Sequence, residues 1–278
     1  MILVTGATGT IGRALIDLLV DAGAPVRAAT RRTVDLPVDT VYADLGSPES
    51  LVSALNGVQQ VFLLSSGADI PTHDANLARA AVEAGVGTIV KLSSGRAGDP
   101  AATDPIPNWH RAGEQSVEDS GLAWTFLRPM GFMSNTLAWA GPIRRDRTVY
   151  AAFAGGRVAT IAPEDIAAVA ARVLTEPGHA GQAYTLTGPE ALTPAEMTAI
   201  LAEVLELPLK FVEVSAEVAR QAILDHGVPP VMADAIMALR ATALSEFTAT
   251  ISPDVEKLTG TPATTFREWA SRNRAKFR

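Results

Sequence analysis

The chain has 278 residues, 47% hydrophobic and 19% charged, which is enough apolar material for a full core and too little charge for a disordered polymer. A formal net charge of −7 argues against a nucleic-acid surface, which needs a basic stripe, and the absence of cysteine removes disulfides, thiol nucleophiles and zinc–thiolate sites. No apolar run approaches the ~18 residues of a membrane span, the first strand leaves no room for a signal peptide, and the 4 histidines lack metal-ligand spacing, so a metal-free cytoplasmic protein is expected.

Residues 2–5 begin with the continuous apolar run Ile2-Leu3-Val4, the pattern of a central parallel strand covered on both faces. Gly6-Ala7-Thr8-Gly9-Thr10-Ile11-Gly12 follows, and Ile11, Leu15, Leu18, Leu19 and Ala22 then recur as a helical stripe that Gly23 and Pro25 end. A helix start carries unpaired N–H groups and partial positive charge, and glycines let the backbone approach an anion closely. Gly6, Thr8, Gly9, Thr10, Ile11 and Gly12 are therefore candidates to hold a dinucleotide diphosphate. No Lys-Ser or Lys-Thr follows the last glycine, which excludes a triphosphate-binding loop.

Further strands are predicted at 26–29, 41–43, 60–64, 88–92 and 123–127, with helices at 48–55, 72–84 and 108–120 between them. Such alternation implies right-handed crossovers and a parallel, doubly wound α/β sheet, whose ligands bind beyond the carboxyl ends of the strands. After the second strand stands Thr30-Arg31-Arg32, where an NAD site would place an acidic residue for the ribose diol. Guanidinium groups pair with a 2′-phosphate that a carboxylate would repel, so Arg31 and Arg32 favour NADP(H) over NAD(H); solvated loop charges are the alternative. Asp44 and Leu45, after the third strand, are candidates for the adenine, with Asp44 equally able to serve as a charge at the next helix start.

The second half changes character. Residues 141–156 read as an irregular excursion, 158–161 and 182–186 as short strands, and 163–174 as the helix between them. Thr193-Pro194-Ala195-Glu196 spells a capping box, and a strand at 209–214 precedes helices at 215–225, 230–244 and 264–276. The expected division is a nucleotide-binding unit of 1–130 and 157–188, and a smaller, mostly helical substrate-covering region of 131–156 and 189–278.

The glycine turn, Arg31, Asp44-Leu45, Leu92-Ser93-Ser94-Gly95, and the run from Ser120 through Trp124 to Arg128-Pro129 together resemble the NmrA-like group of atypical short-chain dehydrogenases. Ala162-Pro163-Glu164-Asp165-Ile166-Ala167 and Gly181-Gln182-Ala183-Tyr184-Thr185-Leu186 extend the resemblance over nearly the whole chain. It implies a Rossmann fold, NADP as cofactor, and either a reductase of the quinone or triphenylmethane type or a regulator that binds the dinucleotide without turnover. It also implies that Leu64, Ser65, Ser66, Ser93 and Ser94 border the ribose and nicotinamide, and that Pro129, Met130, Gly131 and Phe132 wrap the nicotinamide end. Gly95, Phe132, Met133 and Asn135 would face substrate. Plain turn formation for the small residues and core packing for Met130, Phe132 and Met133 are the alternatives.

Ordinary members of the wider family use a tyrosine and a lysine four residues apart on the helix after the fifth strand. Aligning Glu114 with an acidic position of extended relatives puts His110 at the lysine position and Ile106 at the tyrosine position, with Lys91, Lys210, Lys257 and Lys276 expected to lie away from it. Without that pair, hydride transfer to an electron-poor conjugated acceptor, which stabilises the added electron pair itself, is the expected chemistry. A redox-sensing binding protein is the alternative, and imine or ketone reduction with His110 as proton donor a further one; His110 could also hydrogen-bond ribose, or be structural. The expected partner is a small molecule, with homodimer formation left open.

Overall fold

Strands as apolar as Ile2-Leu3-Val4 and Val61-Phe62-Leu63 must be covered on both faces, and the chain supplies helices for each. The computed structural model describes residues 1–278. In chain order the strands are β1 (Ile2–Val4), β2 (Val26–Thr30), β3 (Asp39–Tyr42), β4 (Gln60–Leu63), β5 (Thr88–Leu92), β6 (Ala123–Pro129), β7 (Thr148–Ala151), β8 (Gln182–Leu186) and β9 (Lys210–Glu213). Seven of them form one parallel, Rossmann-type sheet in the order β3-β2-β1-β4-β5-β6-β8, so strand order reverses between β1 and β4. β7 and β9 pair separately as a two-stranded parallel ribbon.

The helices are α1 (Thr10–Asp21), α2 (Pro48–Ala54), α3 (Ile70–Ala84), α4 (Pro105–Asp119), α5 (Ala140–Asp146), α6 (Pro163–Thr175), α7 (Pro194–Leu205), α8 (Ala216–Asp225), α9 (Pro230–Ala241), α10 (Asp254–Thr259) and α11 (Phe266–Arg272). α1 and α6 cover one face of the sheet through Leu15, Leu19, Ile166 and Val169. α2, α3 and α4 cover the other through Leu51, Leu77 and Val117. Each such fully buried aliphatic side chain contributes roughly 1.5–3 kcal/mol of transfer free energy. A third core, around Trp269, Phe266, Leu201 and Met133, joins α5, α7 and α11 beside the end of β6.

Several elements depart from the sequence expectation. Residues 141–156 are not irregular: they contain α5 and β7, and β7 finds its pairing partner in β9, some sixty residues on, where no local pattern reveals it. Residues 158–161 do not form a strand, because their backbone groups are shared among three segments: Val158 pairs with Leu192, Ala159 with Thr248 and Ile161 with Gly131. α3 and α4 begin earlier than predicted, at Ile70 and Pro105, since a proline in the first helical turn forfeits no hydrogen bond. α10 was not anticipated, and the C-terminal helix is α11, shorter than 264–276, ending in a 3-10 turn at Arg274–Phe277. The capping box at Thr193 and Glu196 is present with both hydrogen bonds.

Candidate functional site

The turn after β1 is shaped by its glycines. Gly6 has φ +63°, and a Cβ there would lie 3.0 Å from Leu64 Cδ2. A Cβ on Gly12 would stand 2.3 Å from the Gly6 carbonyl oxygen, so the helix approaches the turn only because that position is bare. Gly9 caps α1 without a side-chain bond; its own N–H donates to Gly6 O (3.0 Å), and Arg13 N–H is the first to bond back, to Gly9 O (3.0 Å). The amides of Thr10, Ile11 and Gly12 therefore have no acceptor in the chain, while Thr8, Gly9 and Thr10 are exposed above them. Thr5, which sequence reasoning passed over, fixes the turn: its hydroxyl lies 3.1 Å from the carbonyls of Phe62 and Leu64 and accepts Leu64 N–H at 2.7 Å, locking the ends of β1 and β4 together.

The parallel sheet brings the other candidates to the same rim. Arg31 and Arg32 leave β2 exposed, held by a short turn in which the Thr30 hydroxyl donates to Arg32 O (2.9 Å) and accepts Arg32 N–H (3.1 Å). After β3, one Asp44 oxygen accepts Gly46 N–H at 2.9 Å, and the carbonyl of half-buried Leu45 accepts from Asn76 at 2.9 Å. The first turn of α2 takes its acidic residue from Glu49 instead. Leu64, Ser65 and Ser66 follow β4, and Ser93, Ser94 and Gly95 follow β5. Ser65 is buried and its hydroxyl donates to Asp74 at 2.6 Å; the buried Ser93 hydroxyl has no partner. Pro129 ends β6, Met130 and Met133 are buried, Gly131 and Phe132 are half-buried, and Asn135 is exposed. The Met130 sulfur sits where a Cβ of Gly95 would be, bringing the β5 and β6 loops into contact.

The region expected to face the nicotinamide differs most from the sequence reading. Lys91 does not lie away from α4: it points from β5 beneath that helix, fully buried, and pairs with equally buried Asp74 of α3 at 2.5 Å. A Cβ on Gly113 would strike Asp74, so α4 packs down on the ion pair at its only bare position there. His110, one turn earlier, does not keep an ordinary imidazole pKa near 6.5; burial first, and then the Lys91 charge, lower it to about 3. Its ring is neutral at physiological pH, and Nδ1 has no partner. Glu114 is committed to Arg128, which grips both carboxylate oxygens at 2.9 and 2.7 Å. Arg96 bonds Asp99 and Asp104, and Arg111 caps the carbonyls of Ala97 and Ala102, so the loop between β5 and α4 is rigidly held.

Two surface hollows lie elsewhere, one among Arg144, Arg147 and Arg278, the other between α1, α6 and α10, and neither touches a predicted site residue. The strand-end rim is favoured on its chemistry. Free amides at the positive end of a helix, a cradle that added Cβ atoms would fill, two unpaired arginines and an unpaired buried serine are what a phosphorylated dinucleotide requires.

The family model described as NAD(P)H-binding matches residues 6–177. Over 282 residues the chain is 43% identical to the (4-alkanoyl-5-oxo-2,5-dihydrofuran-3-yl)methyl phosphate reductase of Streptomyces griseus, spanning 100% of this chain and 99% of that protein. It is 39% identical over 284 residues to an NAD(P)H azoreductase of Xenophilus azovorans, with 100% and 99% covered. Among solved structures, the NADPH-dependent quinone oxidoreductase of Escherichia coli in complex with NADPH superposes with a TM-score of 0.87 at 29% identity, over 98% of this chain and 99% of that one.

Proposed function

The chain belongs to the NAD(P)H-binding family, and from that membership we propose that it is a reductase passing hydride from NADPH to a conjugated, electron-poor small molecule. The observation that carries the reading is a rim equipped for a dinucleotide beside a helix, α4, that has neither tyrosine nor lysine and whose one histidine is neutral. The relatives point the same way: the Streptomyces griseus protein is named for an unsaturated, acylated furanone, the Xenophilus azovorans protein for azo compounds, and the Escherichia coli protein for quinones. Each of these acceptors delocalises an added electron pair.

The reduced dinucleotide, when bound, supplies the hydride. The free amides of Thr10, Ile11 and Gly12 would hold its diphosphate, and Arg31 and Arg32 would pair with the 2′-phosphate. Ser65 and Ser93 border the ribose, Ser65 being oriented by Asp74. Buried Met130 and half-buried Phe132 would wall the nicotinamide end and limit water there. His110 and Glu114 donate no proton, the first being neutral and the second bound to Arg128; water protonates the reduced product.

The test mixes purified protein with NADPH or NADH and a panel of quinones, enones and dyes, following loss of reduced-cofactor absorbance. Turnover with at least one conjugated acceptor is expected. Tight cofactor binding without turnover of any acceptor would replace the reductase by a redox-sensing binding protein. Replacing Arg31 and Arg32 by alanine should cut the NADPH-over-NADH preference about tenfold or more, as expected when charge-assisted bonds to a phosphate are lost.

A further inference from the structure

Arg240 on α9 is a cation without a counterpart. Its guanidinium gains no hydrogen bond or charge partner, and surrounding protein alone holds it below the ordinary arginine value. Yet the residue is open to solvent. Arg240 is thus partly screened by protein and still reachable from solvent. By contrast, Arg96 is paired with Asp99 and Asp104, Arg128 with Glu114, Arg157 with Glu196 and Arg220 with Asp234.

The position of α9 says which parts of the molecule lie beside it. Ala233, Met237 and Arg240 follow one another at helical spacing, and the first two are buried in a helix that packs on α4, the carrier of His110. The chain leaving α9 is stitched to the segment before α6 by Arg157 N–H to Ala243 O (2.9 Å) and Ala159 N–H to Thr248 O (2.8 Å). That segment continues into Ile161, whose N–H donates to Gly131 O at 2.9 Å and whose carbonyl accepts Met133 N–H at 2.9 Å. Phe247 meets the Arg96 guanidinium at 6.0 Å, closing the contact with the loop after β5. α9 thus packs on α4, and the segment leaving it meets the loop after β5 and, through residues 157–161, is tied to residues 131–133, the stretch expected to face the acceptor.

We propose that Arg240 anchors an oxyanion substituent of the acceptor, so that the preferred substrates are conjugated molecules bearing a phosphate, sulfonate or carboxylate. The proposal rests on the reductase reading of the rim. A guanidinium stays charged even when desolvated, and its planar fork of donors matches a tetrahedral or planar oxyanion through two bonds. An anion arriving from solvent supplies the partner that the fold withholds. A handle remote from the reacting carbon also orients the acceptor against the nicotinamide without acting in the chemistry.

The experiment compares a naphthoquinone with its sulfonate in the wild type, Arg240→Gln and Arg240→Lys, taking the ratio of kcat/KM for the charged over the neutral acceptor. Comparing variants cancels the difference in reduction potential between the two compounds. Arg240→Gln should lower that ratio roughly ten- to a hundredfold, mainly through KM, and Arg240→Lys should recover part of it by keeping charge without the fork. NADPH Kd, read by fluorescence titration, reports folding and the cofactor site separately. An unchanged ratio in Arg240→Gln with intact NADPH binding overturns the proposal, as does a rise in NADPH Kd large enough to account for the loss. Should neither acceptor turn over, calorimetry of naphthalene sulfonate with the NADP-bound protein still decides: binding weakened by Arg240→Gln supports the anchor, and no binding to the wild type defeats it.

Discussion

At His110 two effects act in one direction. Burial removes water from the imidazole and Lys91 repels its charged form, so the folded pKa lies near about 3 against 6.5 for the free side chain. Between those values the unfolded chain binds a proton that the folded chain refuses. The contribution to stability is complete above pH 6.5 and is lost as pH falls towards 3, with a limiting slope of about 1.4 kcal/mol per pH unit. Denaturant midpoints should therefore decline from pH 6.5 to about pH 5, a window in which exposed carboxylates remain mostly ionised. His110→Gln should flatten that decline, and an unchanged slope would assign it to other groups. The helical position of His110 is legible in the sequence; its charge state is not, because burial by tertiary packing and, second, a lysine from a distant strand set it.

Among the elements, α3, β5 and α4 meet over Asp74 and Lys91, both with 0% side-chain exposure. The clue was present: Asp74 interrupts the apolar stripe Ile70, Leu77, Ala81 of α3, and Lys91 interrupts the run Thr88-Ile89-Val90-Lys91-Leu92 of a strand buried on both faces. Two opposite charges at core positions of neighbouring elements require one another, since neither can be buried alone. Lys91→Met strands the Asp74 carboxylate and should cost about 3–5 kcal/mol in urea unfolding, whereas pairing it with Asp74→Leu should restore most of the loss. If the double variant is as unstable as the single one, the pair is not the source. The expected strand at 158–161 fails for the complementary reason: its apolar pattern suits a strand, but three segments compete for its backbone and no ladder forms. β7 went unread because pairing with β9 depends on how the third core brings α5 and α7 together.

Across the whole molecule, the rim ties ligand binding to folding. A dinucleotide that spans the loops after β2, β1, β4, β5 and β6 binds only the folded chain, and NADPH at about a hundred times its Kd should add about 2.7 kcal/mol of stability. For a chain of this size that is a rise in Tm of roughly 5 °C or more, growing with ligand concentration. No shift with either NADPH or NADH would remove the dinucleotide from the argument altogether.

The sequence by itself determined the parts set by short-range rules. The strand–glycine–helix unit needs bare positions at fixed spacing, the alternation of strands and helices dictates a parallel sheet, and a parallel sheet puts every strand's following loop on one edge. That these loops share one edge, and that the two arginines stand within it, was readable from those rules, whereas the order of the strands along the sheet was not. Tertiary structure alone decided which charges are paired, which are neutral and which are left without a partner. Lys91 under α4, neutral His110 and solitary Arg240 owe their state to desolvation and to neighbours far away in the chain; the sequence marks Lys91 as a charge within an apolar run, but it names no partner for it and leaves no trace of the other two states.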